Sequence, residues 1–284
     1  MAQILKGAPA AAVITEKLSE RTEKLKSEGI VPTLAIVRVG ERGDDISYET
    51  GAKKRCEKVG GRVVEYHLPE DCTKEQLLDT IREINEDGSI HGCLMFRPLQ
   101  DKDMEEEACE LLDPAKDVDC MTSGSLAGVF TGSKVGYPPC TAQACMEMLD
   151  FYDIPLEGKR AVVIGRSLVI GKPVSMMLQQ RNATVTMCHT RTKDMPAVCR
   201  DAEILIAAAG KAGVVGGEFV SQSQVIIDVG INVTPDGKLT GDVDFPEVEP
   251  KVAAISPVPA GVGSITTAVL WKHVVEAAEK RLNK

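Results

Sequence analysis

The sequence predicts an α/β protein of two domains, the second a doubly wound parallel sheet of the Rossmann type. Three observations predict it. Short apolar runs alternate with stretches of helical periodicity in both halves of the chain, a Pro/Gly-rich stretch (GYPPC, 136–140) separates the halves, and 284 residues suffice for two domains of roughly 100–200 residues each. Parallel strands need helical crossovers and are buried on both faces, so they read as continuous apolar runs rather than as alternation.

In chain order, the first 28 residues read as one amphipathic helix. VPTLAIVRVG (31–40), RVVEYHL (62–68) and HGCLMF (91–96) are strand candidates bounded by turn formers. Helices are expected at 46–59 and 74–86, the second opened by Thr73 as cap with Gln76 three residues on. That is a βαβαβ series. After the helix-like segment 141–151 a second series begins: KRAVVIG (159–165), ATVTMCH (183–189), AEILIAAAG (202–210), SQVIIDVG (223–230) and KVAAIS (251–256). The stretch 264–284 closes the chain as an amphipathic helix with basic residues toward its C-terminus, as the helix dipole prefers.

Composition excludes several function classes. A net charge of -9 argues against a nucleic-acid surface, which needs a concentrated basic face. No apolar run approaches the roughly 20 residues of a membrane span. Glu16, Glu20 and Glu23 are out of place in an acid-poor transit peptide, so a cytoplasmic protein is expected. Nine cysteines without a CxxC pair and four histidines without an HxxxH pair point to reduced, packing thiols and to no metal site.

VVIGRSLVIGKP (162–173) carries the first functional signal. Its Gly171-Lys172 pair suggests a triphosphate loop, but five residues instead of four separate the glycines, and Pro173 replaces the metal-binding hydroxyl. What remains is a strand, a turn at Gly165, and a helix starting near Gly171 with Pro173 in its first turn. Free amides at such a start suit a dinucleotide pyrophosphate. An acid closing the second strand would bind the ribose hydroxyl of NAD, whereas His189, Thr190, Arg191 and Thr192 stand there. With Arg166, this corner favours NADP. Both arginines could otherwise be solvated surface charges.

Read in order, GRSLVIGKP, CHTRT, IDVGIN, GDVDF and SPVPAGVGSIT, together with VGERGDDISY, DPAKDVD and YPPCT, resemble the methylenetetrahydrofolate dehydrogenase/cyclohydrolase family over nearly the whole chain. The resemblance implies two α/β domains with a cleft between them, a folate-binding catalytic domain (1–146 plus 267–284), an NADP-binding domain (147–266), and a homodimer. It implies tetrahydrofolate derivatives as substrates and hydride transfer from the one-carbon bridge to NADP. It assigns Gly165, Arg166, Ser167, Thr190, Ile231 and Thr266 to the cofactor, to which Gly171 and Arg191 are added from the loop and corner above. Tyr48, Asp119 and the Pro259–Ile265 loop, with Gly261 and Gly263, match folate positions. Tyr48 and Asp119 are the catalytic candidates: a flat ring for the folate, and a carboxylate for paired pterin N–H donors. Apart from the resemblance, Tyr48 could be a packed aromatic and Asp119 a helix cap.

The chain departs from this family at two places. Bifunctional members read YxxxK and carry a glutamine before the LPL strand end; here YETGAKK places Ala52 four after Tyr48, and MFRPL places Phe96 and then Arg97 at the strand end. Both polar members of the hydrolytic pair are replaced, so the expectation is a dehydrogenase with little or no cyclohydrolase activity. Two other functions fit the architecture: a two-domain dehydrogenase for an amino acid or shikimate-like substrate with Lys53 or Lys54 as catalytic lysine, and a non-catalytic NADP-binding sensor.

Overall fold

The computed structural model describes residues 1–282. In order the chain forms β1 (Gln3–Ile4), α1 (Gly7–Ser27), β2 (Thr33–Val39), α2 (Gly43–Val59), β3 (Arg62–Leu68), α3 (Lys74–Glu86), β4 (Gly92–Met95), α4 (Lys102–Leu111), α5 (Ser123–Thr131) and α6 (Cys140–Phe151). It continues through β5 (Arg160–Ile164), α7 (Gly171–Gln180), β6 (Thr184–Cys188), α8 (Met195–Arg200), β7 (Ile204–Ala207), β8 (Val225–Asp228), β9 (Asn232–Val233), β10 (Leu239–Thr240), α9 (Phe245–Val248), β11 (Ala254–Ile255) and α10 (Thr266–Leu282). The last two residues of the expected closing helix lie outside the described ones. The chain divides into two compact units, one of Met1–Ala11 with Thr141–Thr266, the other of Ala12–Cys140 with Thr267–Lys284.

The unit beginning at Ala12 is built on a parallel sheet of order β3-β2-β4. β2 (TLAIVRV) is central and buried on both faces, as its apolar run Leu34–Val37 requires. Leu77, Ile81 and Ile84 of α3 pack with Ala35, Val37, Cys93 and Met95 of the sheet and Met104 and Ala108 of α4. The Thr73 capping box forms as expected, and the ammonium of buried Lys116 caps the far end of α3, donating to the carbonyls of Ile84, Asn85 and Asp87. α10 belongs here too: Trp271 is fully buried and its Nε1–H donates to the Ala52 carbonyl at 2.9 Å.

The second unit carries a six-stranded sheet, β1-β11-β8-β7-β5-β6, with every pairing parallel. One of its two edge strands is β1, where one helix over residues 1–28 and membership of the first domain were expected. Gln3 and Ile4 instead pair with Ala254 and Ile255, and the Leu5 amide donates to the Ile255 carbonyl at 2.9 Å. The core of this sheet is continuous from Ala2 through Val162, Leu205 and Ile226 to Ile255.

Candidate active site

In an open parallel sheet, ligands bind at the C-terminal strand ends where the connections diverge to opposite sides. The six-stranded sheet has this point between β5, which leads to β6 on one side, and β7 on the other. Gly165 closes β5 there at φ 127°, a conformation that favours glycine, and a Cβ on it would lie 2.1 Å from the Ala208 carbonyl oxygen. Gly171 opens α7 so close to this turn that its Cβ would lie 2.3 Å from the Gly165 oxygen. The two glycines lock strand, turn and helix together. The sequence suggested free amides at the helix start, but they are occupied: Ser167 Oγ accepts from the Ile170 amide at 3.1 Å and weakly from Gly171 at 3.5 Å. Ser167 therefore shapes the turn by capping the helix, and the exposed surface around it comes from Arg166, Leu168 and Val169.

The turn after β6 presents Thr190 and Arg191 to solvent, held by the His189 amide on Thr192 Oγ1 (2.9 Å) and the Arg191 amide on His189 Nδ1 (3.2 Å). Neither Arg166 nor Arg191 enters an ion pair among the described residues. Ile231, after β8, is 70 % exposed. With half-exposed Leu168 and Val169 it offers apolar surface to a planar ligand at the ends of these strands. Thr266 departs from expectation. It is buried at the start of α10, its Oγ1 donating to the Gly263 carbonyl at 3.1 Å, and so presents little surface to a cofactor.

Two carboxylates that the sequence reading passed over brace these loops. Asp242 accepts from the amides of Ala209, Gly210 and Lys211, and from Asn232 Nδ2. Asp228 accepts from the amides of Gly230, Asp242 and Val243. Burial pushes the Asp228 carboxyl up to about 6 although three backbone donors oppose it. The signal was present in IDVGIN and GDVDF: Gly230 and Gly241 leave the space these carboxylates occupy, a Cβ on Gly241 falling 1.8 Å from Asp228 Oδ2.

The three-stranded sheet diverges at β2, with β3 on one side and β4 on the other. At that point lies a cavity of about 590 Å³ lined by Val39, Gly40, Arg42, Phe96, Pro98 and Leu99 among others, a volume suited to a small-molecule ligand. Tyr48, half-buried on α2, packs edge-on against Phe96 with ring centroids 6.0 Å apart. Asp119 is partly buried; burial raises its pKa, while its Oδ1 accepts from the Cys140 amide at 2.8 Å. Cys140 opens α6, so Asp119 holds the first amide of that helix from a loop outside it.

Other assigned positions are less open than expected. Ala52 and Ile265 are fully buried and Gly261 is buried, so none of the three offers surface to a ligand in this structure. Pro259 and Gly263 are exposed on their loop, which belongs to the unit of the six-stranded sheet and not to that of Tyr48. Lys53 is not an available base: its Nζ lies 3.1 Å from both Glu49 Oε1 and Glu65 Oε1, bonds that raise its pKa. Glu49, buried, is also paired with Arg38 at 2.9 Å and meets His67 at 3.1 Å. Lys54 is exposed.

A dinucleotide-type turn at the divergence of one parallel sheet and a ligand-sized cavity at that of the other define the class, a nucleotide-dependent α/β oxidoreductase. The catalytic-domain model of tetrahydrofolate dehydrogenase/cyclohydrolase matches residues 5–119, and the NAD(P)-binding-domain model of the same enzymes matches residues 139–282. The bifunctional protein FolD of Carboxydothermus hydrogenoformans is 53 % identical over 281 residues, 98 % of each chain. That of Clostridioides difficile is 48 % identical over 282 residues, 99 % of this chain and 98 % of its own. The crystal structure of the bifunctional FolD enzyme of Campylobacter jejuni superposes with a TM-score of 0.95 at 38 % identity, covering 99 % of this chain and 100 % of that one. A Trypanosoma brucei FolD complexed with NADP cofactor and inhibitor gives a TM-score of 0.93 at 30 % identity, covering 100 % of this chain and 99 % of that one. The chain belongs to the tetrahydrofolate dehydrogenase/cyclohydrolase family.

Proposed function

We propose that this enzyme oxidises 5,10-methylenetetrahydrofolate to the methenyl form with NADP, in one-carbon metabolism, and releases the methenyl product with little hydrolysis. The observation that carries the cofactor half is the Gly165–Gly171 turn, flanked by Leu168, Val169 and Ile231 and by two unpaired arginines, with no acid on the 189–192 turn. NADP fits these residues: the glycines let backbone come close, the apolar side chains offer a platform, and Arg166 and Arg191 suit a 2′-phosphate. When bound, the nicotinamide ring supplies the hydride acceptor. The protein's own contribution is placement. Tyr48 supplies a flat face beside the cavity of its unit, and Asp119 presents a carboxylate, fixed by the Cys140 amide, that pairs with pterin N–H donors. No protein nucleophile is needed to lose a hydride.

Loss of hydrolysis follows from Ala52, which is apolar and buried, from Phe96, which packs on Tyr48, and from Lys53, whose charge two glutamates already hold. The enzyme is taken to act as a cytoplasmic homodimer without nucleic-acid partners, as its resemblance and its charge imply. The test supplies methylenetetrahydrofolate with NADP or NAD and follows reduced nicotinamide, then supplies methenyltetrahydrofolate alone and follows its disappearance. Reduction that prefers NADP, with methenyl decay at the spontaneous rate, is expected. An equal kcat/KM for NAD refutes the cofactor assignment, and fast enzymatic decay refutes the loss of hydrolysis.

A further inference from the structure

At the N-terminal ends of the three-stranded sheet, the opposite end of the strands from the cavity beside Phe96, lies a second cavity of about 400 Å³. Arg62, the first residue of β3, Arg281, in the last turn of α10, and His91, just before β4, line it together with Ser89, Ile30 and Val31. Among the described residues, no lining residue is acidic, in a chain whose net charge is -9. Neither arginine enters an ion pair among the described residues; Arg62 Nη2 only donates to Ser89 Oγ at 3.0 Å. The carboxylate of Asp87, half-buried, accepts from the Ser89 amide at 2.7 Å and lies within the field of Arg62 and Lys116.

His91 is 6 % exposed, and its Nδ1 accepts from the Thr33 amide at 3.2 Å. Burial, and after it Arg281, Lys116 and Arg62, push its pKa down to about 4. At neutral pH the ring is therefore uncharged, and with Nδ1 accepting, its proton sits on Nε2. Two arginines, a neutral imidazole and a hydroxyl thus line a cavity with no carboxylate among its described lining residues. That donor set exceeds what the two oxygens of a carboxylate can accept and suits the three terminal oxygens of a phosphate. The volume leaves room for an organic remainder against Ile30 and Val31.

We propose that this cavity binds the phosphate group of a small phosphate monoester, through Arg62, Arg281 and His91. Nothing in the reaction assigned above uses it, so the site stands or falls separately from that assignment. The nucleotide end of the other unit also carries two arginines, and the test must tell them apart. Inorganic phosphate and glycerol 3-phosphate are titrated without NADP into the full-length protein, into Arg62→Gln/Arg281→Gln and into Arg166→Gln/Arg191→Gln, at ionic strength matched with chloride, by calorimetry and thermal unfolding. Binding and a raised midpoint are expected in the native protein and in the Arg166/Arg191 variant, with affinity at least about a hundredfold lower in the Arg62/Arg281 variant. Glycerol 3-phosphate should bind at least as tightly as free phosphate. Survival of binding in the Arg62/Arg281 variant with its loss in the other overturns the proposal, as does a midpoint no different from the chloride control. In the unmutated protein, the His91 Nε2–H resonance should move on titration; an unmoved resonance under saturating ligand also overturns it.

Discussion

Gly171→Ala tests whether the turn between β5 and α7 is the nucleotide site. In an open helix interior this exchange gains about 1 kcal/mol from propensity, and less at a first helical position. Against that gain, the new Cβ would stand 2.3 Å from the Gly165 oxygen, 2.5 Å from its carbonyl carbon and 2.7 Å from the Arg166 nitrogen. All three are backbone atoms, so no side-chain rotation relieves the contact. The turn must move, and overpacking of this kind costs about 1–3 kcal/mol. A net loss of about 1–2 kcal/mol in unfolding free energy is expected. A shift of about 1 Å in a positioning loop lowers turnover about a hundredfold, so kcat/KM for NADP should fall by that order while KM for the folate stays near its native value. Gly43→Ala is the control: it opens α2, has nothing within 4 Å of the added atom, and should be neutral or mildly stabilising. Urea unfolding and steady-state kinetics with each substrate varied in turn provide the readouts. A Gly171→Ala enzyme as stable as its parent, with native kcat/KM for NADP, would refute the packing argument and the site together.

Arg191→Asp should weaken NADP far more than NAD, because it removes an unpaired cation and adds repulsion toward a dianionic phosphate; a fall equal for both cofactors in steady-state assays would point to misfolding instead. Asp119→Ala should raise KM for the folate and lower turnover while leaving NADP affinity near native, and Asp119→Asn should do so more gently; reduced thermal stability with unchanged folate kinetics would return Asp119 to a structural role. Stability should depend on pH through His91 and His273, both buried and both pushed down by burial to about 4. Unfolded histidines take up protons near pH 6.5 and the folded ones refuse them until about 4, so their contribution is complete above 6.5 and is lost as pH falls toward 4, at about 1.4 kcal/mol per unit each. Asp228, raised to about 6, works the other way: its contribution is complete below about 4 and is lost as pH rises through 6. His273→Asn, which can still donate to the Val118 carbonyl as Nδ1 does at 2.9 Å, should remove about 1.4 kcal/mol per unit from the slope between pH 6 and 4.5 in urea titrations, and an unchanged slope would contradict the assignment.

The strands and the long helices were legible because their signals are local. RVVEYHL became β3 at those residues, and Thr73 with Gln76 marked the start of α3. α5 was not legible: SGSLAGVFT is rich in glycine and serine, which lower helix propensity, and it is held by its Thr122 cap and by packing. β1 is two residues long, below any periodicity, and exists only because β11 offers an edge to pair with. The strand, turn and helix start from Gly165 to Gly171 could be read because glycine spacing records how closely backbone segments approach. Asp228 and Asp242 left only an indirect mark, the neighbouring Gly230 and Gly241: an aspartate accepting several backbone amides looks in sequence like any surface acid, and only the fold shows which amides converge on it. The burial of Ala52 and Ile265 was hidden for the same reason, since both are set by neighbours distant in the chain.

The exchanges at Ala52 and Phe96 alter the charge balance of the site as well as removing groups. Loss of hydride leaves the one-carbon bridge as a cation shared by two nitrogens. If Tyr48 carries the folate, a lysine at position 52 would set a like charge near that cation, and alanine does not. An aromatic ring in place of an amide also tolerates positive charge, since its face attracts cations by about 0.5–2 kcal/mol. Hydrolysis needs the opposite provision, a water activated by a positioned acid or base, worth about 10²–10⁴ in rate. Lys53 is the nearest replacement in sequence, yet to serve it must leave Glu65 and also Glu49, a carboxylate 4 % exposed that would keep only Arg38 and His67 as partners. Each 1.4 kcal/mol spent on that separation lowers the rate of any step through the freed lysine about tenfold. The restoring variant is therefore Ala52→Lys with Phe96→Gln, not a change at Lys53. If Lys53→Met instead abolished a measurable methenyl hydrolysis in the native enzyme while leaving folding intact, the ion-paired lysine would be the base after all, and the case for a separated dehydrogenase would fail.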